Sequence, residues 1–244
     1  MYEPETTKFL AGVLTQGDIF IDIGAHIGYF SCVAAKLVGN HGKIFCFEPE
    51  NANYQHLLQH ISLNKLQNVV PSKLALGDRN GTVSLYVNQD NDGGHALWDV
   101  RSHFFNVESR KHLKTDRVPQ ATLESALSQM NFHSLKAIKI DTEGSEYNII
   151  RGGLELIRQH NVPYILCEIN RFGLQQMGTS ETALRQLMSH LGYSSFLLTQ
   201  NPPFFMKLLP SDVVNSQSVF NLLFAKGLEL PVGTGGVATD RTPS

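Results

Sequence analysis

The sequence has few of the features that mark membrane proteins, disulfide-rich secreted proteins or polyanion-binding proteins. No apolar run approaches the roughly 20 residues that span a bilayer, and residues 1–5 lack the basic and then apolar order of a signal peptide. The three cysteines among 244 residues are odd in number and have no metal-type spacing, which excludes a disulfide framework and a zinc module. A formal net charge of -2 gives no electrostatic reason to bind nucleic acid. We therefore expect a cytoplasmic protein without a membrane span or a nucleic-acid partner.

The sequence does contain a regular alternation of short apolar runs and segments with helical periodicity. Apolar residues at i, i+3, i+4 and i+7 predict helices over residues 54–61 and 184–191, and a shared apolar face over 6–13 predicts a helix before the first strand. This alternation is typical of βαβ units, so we predict one doubly wound α/β domain over residues 1–226. Five runs rich in Ile, Val, Leu or Phe are the predicted parallel strands: 19–23, 43–47, 69–75, 135–140 and 163–168.

The carboxyl-terminal part differs in kind. Residues 193–198 and 220–225 are predicted as two more strands, and the loop between them is too long for a tight turn and has no clear helix. An antiparallel end of the sheet is the expected arrangement. Residues 227–244 are rich in Gly, Thr and Pro and are predicted to form a disordered tail.

An insertion at residues 79–121 breaks the alternation. It contains a predicted strand at 82–87, a polar stretch and Trp98, the only tryptophan of the chain. Insertions of this length in compact α/β domains are more often functional than idle, which makes this segment a candidate wall of the substrate site. A β-ribbon that only covers the edge of the sheet is the alternative.

The turn after the first predicted strand is the candidate ligand site. In open α/β sheets, ligands bind beyond the carboxyl ends of the strands where the strand order reverses. Gly24 and Gly28 have no side chains that would hold a ligand away from this turn. Glu48 ends the second predicted strand, where an acidic side chain can accept hydrogen bonds from both hydroxyls of a ribose. The pair predicts a nucleoside site.

The glycine spacing indicates which nucleoside binds. A dinucleotide site ordinarily has G-x-G-x-x-G, whereas here Gly24 and Gly28 are separated by three residues. This spacing suits S-adenosylmethionine (SAM), which has no phosphate but has an ammonium group that Asp22 can accept. Asp78, after the third strand, can accept from the adenine amine. A NAD(P)-dependent oxidoreductase and a non-catalytic SAM-binding domain are the alternatives.

Four motifs follow one another in order along the chain: Asp22-Ile23-Gly24-Ala25-His26-Ile27-Gly28-Tyr29-Phe30, Phe47-Glu48-Pro49, Ala75-Leu76-Gly77-Asp78 and Lys139-Ile140-Asp141-Thr142-Glu143-Gly144-Ser145-Glu146. They resemble the motifs of the FkbM family of methyltransferases over roughly residues 5–168. The resemblance implies a class I methyltransferase fold, Rossmann-like, with a seven-stranded, mostly parallel sheet ordered 3-2-1-4-5-7-6 and an antiparallel last strand. It also implies SAM as the donor and usually a hydroxyl oxygen as the acceptor.

The resemblance and the residue chemistry together give a candidate site. Asp141, Glu143 and His26 are the candidate catalytic residues, because a hydroxyl acceptor must lose its proton to a nearby base. Alternatively, Asp141 binds the methionyl ammonium while Glu143 and Glu146 cap the following helix. The predicted cofactor-binding residues are Asp22, Gly24, Ala25, His26, Gly28, Glu48, Pro49, Asp78 and Asp141.

No metal is predicted. The alternative is a divalent ion held by Asp141, Glu168 and Asn170, because these side chains offer oxygen ligands that suit Mg²⁺. The expected reaction is O-methylation of a small molecule or of a sugar in a glycan or lipid-linked intermediate. The sequence leaves the acceptor and the oligomeric state open.

Overall fold

A computed structural model describes residues 2–90, 93–102, 112–130, 133–216 and 218–227. The predicted tail therefore lies, apart from Gly227, outside the described residues, as do residues 91, 92 and 103–111 of the insertion. The helices are α1 (Pro4–Val13), α2 (Tyr29–Val38), α3 (Asn51–Leu63), α4 (Leu123–Leu127), α5 (Glu146–Arg151), α6 (Leu154–Gln159), α7 (Arg171–Gln176) and α8 (Glu181–His190). The strands are β1 (Ile19–Ile23), β2 (Lys43–Phe47), β3 (Val69–Ser72), β4 (Ala75–Gly77), β5 (Gly81–Asn88), β6 (Leu113–Thr122), β7 (Leu135–Ile140), β8 (Tyr164–Ile169), β9 (Ser194–Leu198), β10 (Phe205–Leu208) and β11 (Phe220–Ala225).

The main sheet has the strand order β10-β9-β11-β8-β7-β1-β2-β3. Strands β3, β2, β1, β7 and β8 are parallel, and β11 runs antiparallel to both β8 and β9. The doubly wound prediction and the order 3-2-1-4-5-7-6 are therefore confirmed. The prediction of seven strands lacked β10, which pairs antiparallel with β9 at the edge. This short strand was not predicted, because the proline residues just before it are typical of a loop.

The predicted third strand, 69–75, is wrong as a single element. The chain leaves the main sheet after Ser72, and Ala75–Gly77 joins a second sheet of order β4-β6-β5. Pro71 lies in β3, at the edge of the main sheet, where a residue without an N–H is tolerated. Apolar residues continue across both strands, so hydrophobicity alone could not show the change of sheet.

Helices cover both faces of the main sheet, as the alternating side chains of β1 illustrate. Phe20 packs with residues of α1, α2 and α3, whereas Ile21 and Ile23 pack with residues of α5, α6 and α8 on the other face. The apolar stripe predicted at 184–191 is confirmed, with Leu184 and Met188 fully buried. The three cysteines are free. Within the described ranges no helix has the length and apolar character needed to cross a membrane.

Candidate active site

The turn after β1 is shaped by close contacts within the protein. Gly24 has φ +77°, and a Cβ there would lie 1.8 Å from the carbonyl oxygen of Asp141. Gly28 has φ +88°, and its Cβ would lie 2.4 Å from Cδ1 of Leu57 in α3. Both glycines therefore let neighbouring elements approach the turn, a different reason from the space for a ligand that the sequence suggested. The Ala25 amide donates to Phe47 O at 3.0 Å, which fixes the turn against β2.

Glu48 links this turn to the end of β2. Its carboxylate accepts hydrogen bonds from the backbone N–H of His26 and of Glu50, both at 2.8 Å, and the residue is only 5% exposed. Burial raises the pKa of Glu48 to about 7. Each carboxylate oxygen has a second lone pair, so Glu48 can hold the turn and still accept from a ligand.

Asp22 lies beneath the turn and does not line the cavity. Its Oδ2 accepts a 2.6 Å hydrogen bond from Ser31 Oγ, and burial raises its pKa. Its Oδ1 is buried and has no hydrogen-bond partner within the described part of the chain. The register of β1 against β7 pairs Asp22 with Lys139, so these opposite charges share one face of the sheet.

A cluster of three carboxylates lies at the carboxyl ends of β7 and β8. One oxygen each from Glu3, Asp141 and Glu168 lies within 4.8 Å of the other two. Lys139 Nζ lies 2.8 Å from Asp141 Oδ2, and the Lys139 side chain is 3% exposed. One buried cation thus lies beside three carboxyl groups, of which Asp141 is its direct partner.

The pKa values of Asp141 and Glu168 are shifted in opposite directions. Burial and the Asp141 charge raise the pKa of Glu168 to about 10. Burial also opposes ionisation of Asp141, but Lys139 and the hydrogen bonds from Lys139 and Glu168 hold the pKa of Asp141 below its ordinary value. At neutral pH, Asp141 is therefore ionised and Glu168 carries a proton.

Of the three residues considered as metal ligands, the structure brings Asp141 and Glu168 together, whereas Asn170 has other partners. Asn170 uses its Oδ1 to accept from the Gly173 N–H at 2.9 Å, and its Nδ2 donates to Glu143 Oε2 at 2.6 Å. Asn170 thus caps α7 and orients Glu143. The third carboxylate beside Asp141 and Glu168 comes from Glu3 instead, which sequence reasoning did not find.

The loop after β7 is closed by Glu146. Its Oε1 accepts from the N–H and hydroxyl of Thr142 and from the Gly144 N–H, at 2.9–3.2 Å. Burial raises the pKa of Glu146 to about 7. Glu143, by contrast, lines the cavity and has φ +56°, a conformation that non-glycine residues seldom adopt. Glu146 stabilises the loop, and Glu143 is presented to the cavity.

These groups surround a cavity of about 950 Å³, including its open mouth. Predicted site residues that line it are Gly24, His26, Glu48, Pro49, Asp141 and Glu143, and the wall also includes Tyr2, Glu168 and residues 93–97 of the insertion. Ala25 and Gly28 lie behind this surface. Asp78 also lies outside the lining, with its Oδ2 3.7 Å from Arg151 Nη1. The roles predicted for all of these residues remain predictions.

Comparison with solved structures places the fold in a known class. A protein from Clostridium thermocellum provisionally described as an rRNA methylase has 11% identity and a TM-score of 0.51, with 91% of this chain and 95% of that chain covered. A provisionally described methyltransferase from Streptococcus mutans, in complex with SAH, has 9% identity, a TM-score of 0.51 and the same coverage. Precorrin-6y C5,15-methyltransferase from Geobacter metallireducens has 12% identity and a TM-score of 0.51, with 93% and 90% covered. The fold is that of class I SAM-dependent methyltransferases.

The sequence itself identifies the family. Residues 22–195 match the methyltransferase FkbM domain, and the chain belongs to that family. No curated protein matches the sequence significantly. The protein is a methyltransferase with SAM as its cofactor, as the sequence predicted, so the oxidoreductase alternative and the non-catalytic alternative are set aside.

Proposed function

We propose that this enzyme transfers the methyl group of SAM to a hydroxyl oxygen of a small molecule or a sugar. The observation that carries the proposal is the Asp141 carboxylate at the cavity wall, whose Oδ2 lies 2.8 Å from the Nζ of the buried Lys139, a contact that favours the ionised carboxylate. A hydroxyl group can donate a hydrogen bond to an ionised carboxylate, and that contact aligns its oxygen lone pair for reaction.

The site fits the charge and shape of SAM. Sulfonium and ammonium groups are cationic, and the ionised Asp141 carboxylate lies at the cavity wall beside a single lysine. Glu48 has a second lone pair on each carboxylate oxygen at the cavity wall for the ribose hydroxyls. We assign Glu48 to the ribose and propose that the sulfonium lies beside Asp141, the same carboxylate that faces the acceptor oxygen.

Asp141 is the proposed proton acceptor. When bound, SAM supplies an electrophilic methyl carbon on a good leaving group. As the acceptor oxygen bonds to carbon it becomes strongly acidic, so a carboxylate with a low pKa is basic enough to take its proton. Glu168 already carries a proton and instead donates a hydrogen bond to Asp141. Glu143 and His26 line the same cavity and are proposed to contact the acceptor.

The cavity wall supports an uncharged acceptor. Within the described part of the chain its lining contains no lysine or arginine, whereas it contains Glu48, Asp141, Glu143 and Glu168. Proteins that bind nucleic acid neutralise phosphates with lysine and arginine, so a polyanion would meet repulsion here. Hydroxyl groups of a polyol can donate to these acidic side chains. The presence of residues 93–97 in the wall supports the substrate-wall interpretation of the insertion.

The test is an acceptor screen with SAM labelled at its methyl group. The panel contains neutral sugars and phenols, primary amines and folded RNA, and NMR of the product identifies the methylated atom. We expect O–CH₃ products only from hydroxylated acceptors, and at least a hundredfold slower turnover by Asp141→Asn. Asp116→Asn, a carboxylate paired with Lys114 on β6, is the matched control and is expected to leave turnover unchanged. Methylation of nitrogen or RNA would refute the proposal.

A further inference from the structure

Trp98 connects the insertion to the loop after β7. Its indole N–H donates a 2.6 Å hydrogen bond to the carbonyl oxygen of Glu143, and its ring centroid lies 5.4 Å from that of Phe172. Only 6% of the residue is exposed, and Ala96 and Val100 pack with it in one apolar cluster. The contact joins residues 45 positions apart in sequence. Trp98 is therefore a fixed point between two separate segments.

The accepting residue is held from two sides. Glu143 has φ +56° and is followed by Gly144 at φ +115°, so the peptide between them has an uncommon orientation. The Trp98 N–H restrains the carbonyl of Glu143, and Asn170 restrains its carboxylate. Uncommon backbone conformations persist where surrounding contacts determine them. The contacts from Trp98 and Asn170 together hold Glu143 in this orientation at the cavity.

The segment before Trp98 forms part of the cavity wall. Residues 93–97 line the cavity, and Ala96 exchanges two backbone hydrogen bonds with Tyr86 of β5, at 2.8 and 3.2 Å. The wall is thus fastened to β5 at Ala96 and to the Glu143 loop at Trp98. Asn88 also holds the start of this wall, because its N–H donates to His95 Nδ1 at 3.0 Å and its Nδ2 donates to Gly93 O at 3.3 Å. Trp98 is the attachment that joins the wall to the Glu143 loop.

We propose that Trp98 is a positioning residue that sets acceptor specificity. Its hydrogen bond fastens the wall of residues 93–97 to Glu143, so that the wall and the Glu143 carboxylate are presented to the acceptor together. This inference rests on the proposed function only in placing the acceptor in this cavity. Glu48, which is assigned to the ribose of SAM, is held by the amides of His26 and Glu50, whereas the Trp98 hydrogen bond holds the Glu143 loop.

The test replaces Trp98 with phenylalanine, which keeps an aromatic ring and removes the donor. For the acceptor that the wild-type enzyme methylates, we expect KM to rise about threefold to tenfold, as for loss of one neutral hydrogen bond, with a smaller change in kcat. The Kd for SAM by calorimetry is expected to stay within twofold. Arg101→Ala, an exposed side chain of the same segment, is the control and is expected to change neither value. Equal loss of SAM affinity and acceptor affinity would overturn the proposal.

Hydrogen exchange tests the linkage without turnover. In the SAH complex of Trp98→Phe, the amides of Thr142 and Gly144 are expected to exchange faster together with those of residues 93–100. Exchange confined to residues 93–100 would refute the coupling. If the phenylalanine variant does not fold, benzothienylalanine at position 98 keeps the bicyclic shape without the N–H and undergoes the same comparison. Because the comparison uses whichever acceptor the wild type accepts, N-methylation would refute the proposed function and leave this test intact.

Discussion

Lys139 and Asp141 form a buried ion pair at the carboxyl end of β7, with Nζ 2.8 Å from Oδ2. Their spacing of two residues places both side chains on the same face of the strand. Lys139 Nζ also lies 4.7 Å from the centre of the Phe30 ring, a cation–π contact. The pair keeps a carboxylate ionised at the position where the acceptor is proposed to bind.

Replacement of Lys139 with methionine is expected to destabilise the fold and alter the pH profile. Removal of one partner of a buried pair leaves an uncompensated charge, and we expect a loss of about 3 kcal/mol in the free energy of unfolding. The pKa of Asp141 should rise, which moves the acidic limb of the pH–rate profile to higher pH. Urea denaturation and initial rates between about pH 3 and 9 measure both effects, because the ordinary pKa of an aspartate is about 3.9. Lys139→Arg keeps the charge, so the acidic limb of its pH–rate profile should match that of the wild type. An unchanged acidic limb in the methionine variant would contradict the assignment of Asp141 as the proton acceptor.

Replacement of Glu48 with alanine is expected to weaken SAM binding by roughly tenfold to a hundredfold. Hydrogen bonds to charged groups contribute about 1.5–3 kcal/mol, and the variant also loses the contact that fixes the His26 amide. Isothermal calorimetry with SAM measures the change, and circular dichroism verifies the fold. Asp116→Ala provides a carboxylate deletion outside the cavity. Wild-type affinity in a folded Glu48 variant would remove the ribose role.

Replacement of Gly24 with alanine is expected to prevent stable folding or to cost several kcal/mol. The new Cβ would lie 1.8 Å from the Asp141 carbonyl, so β1 and β7 would have to separate. Gly17→Ala is a matched control, because Gly17 has φ +87° and no heavy atom within 4 Å of its Cβ position. That control measures only the cost of placing alanine at a positive φ, which is about 1–2 kcal/mol, without a steric clash. Similar unfolding midpoints for the two variants would show that the close approach is unimportant.

Glu146→Gln is expected to become more stable than the wild type as the pH rises. The pKa of Glu146 is raised by burial to about 7, so its favourable contribution is fully present below its unfolded value near 4.5 and is lost as the pH rises through 7. Glutamine keeps an oxygen for the loop amides and does not titrate. From pH 5 to 8, the difference in unfolding free energy should shift in favour of the variant by up to about 3 kcal/mol. A constant difference would disprove the titration.

Chelation is expected to leave turnover unchanged. Asn170 is committed to Gly173 and Glu143, Glu168 carries a proton, and Asp141 is paired with Lys139. Rates measured after EDTA treatment and gel filtration should equal those of untreated enzyme. Loss of activity that Mg²⁺ restores would establish the metal alternative instead.

The sequence predicts those parts of the fold and site that depend on local pattern. Apolar runs located β1, β2, β7 and β8, and residues at their carboxyl ends, Glu48 and Asp141, reach the cavity because parallel strands share one edge. The strand order followed from the family resemblance. The hydrophobic pattern alone could not show where β3 ends and β4 begins, because both strands are apolar. They differ only in the strands with which they pair, β2 for β3 and β6 for β4.

Other features depend on distant contacts that one sequence does not display. Glu3 lies near Asp141 and Glu168 because α1 packs beside α2. An acidic residue directly before a helix is common in sequences, so no pattern marked Glu3 as part of this cluster. The partnership of Lys139 with Asp22 requires the register of β1 against β7. Trp98 was noticed as the only tryptophan, but its bond to Glu143 was not predictable.

The position of Tyr2 at the cavity wall has a practical consequence for handling the enzyme. Its ring packs against Tyr29 and Phe30, so a chemical label at Tyr2 would lie at the cavity wall. Strand β11 runs antiparallel to β8, and Ala225 pairs with Tyr164 at the amino-terminal end of β8. A spectroscopic label at Lys226, at the opposite end of the strands, would therefore leave the cavity unchanged.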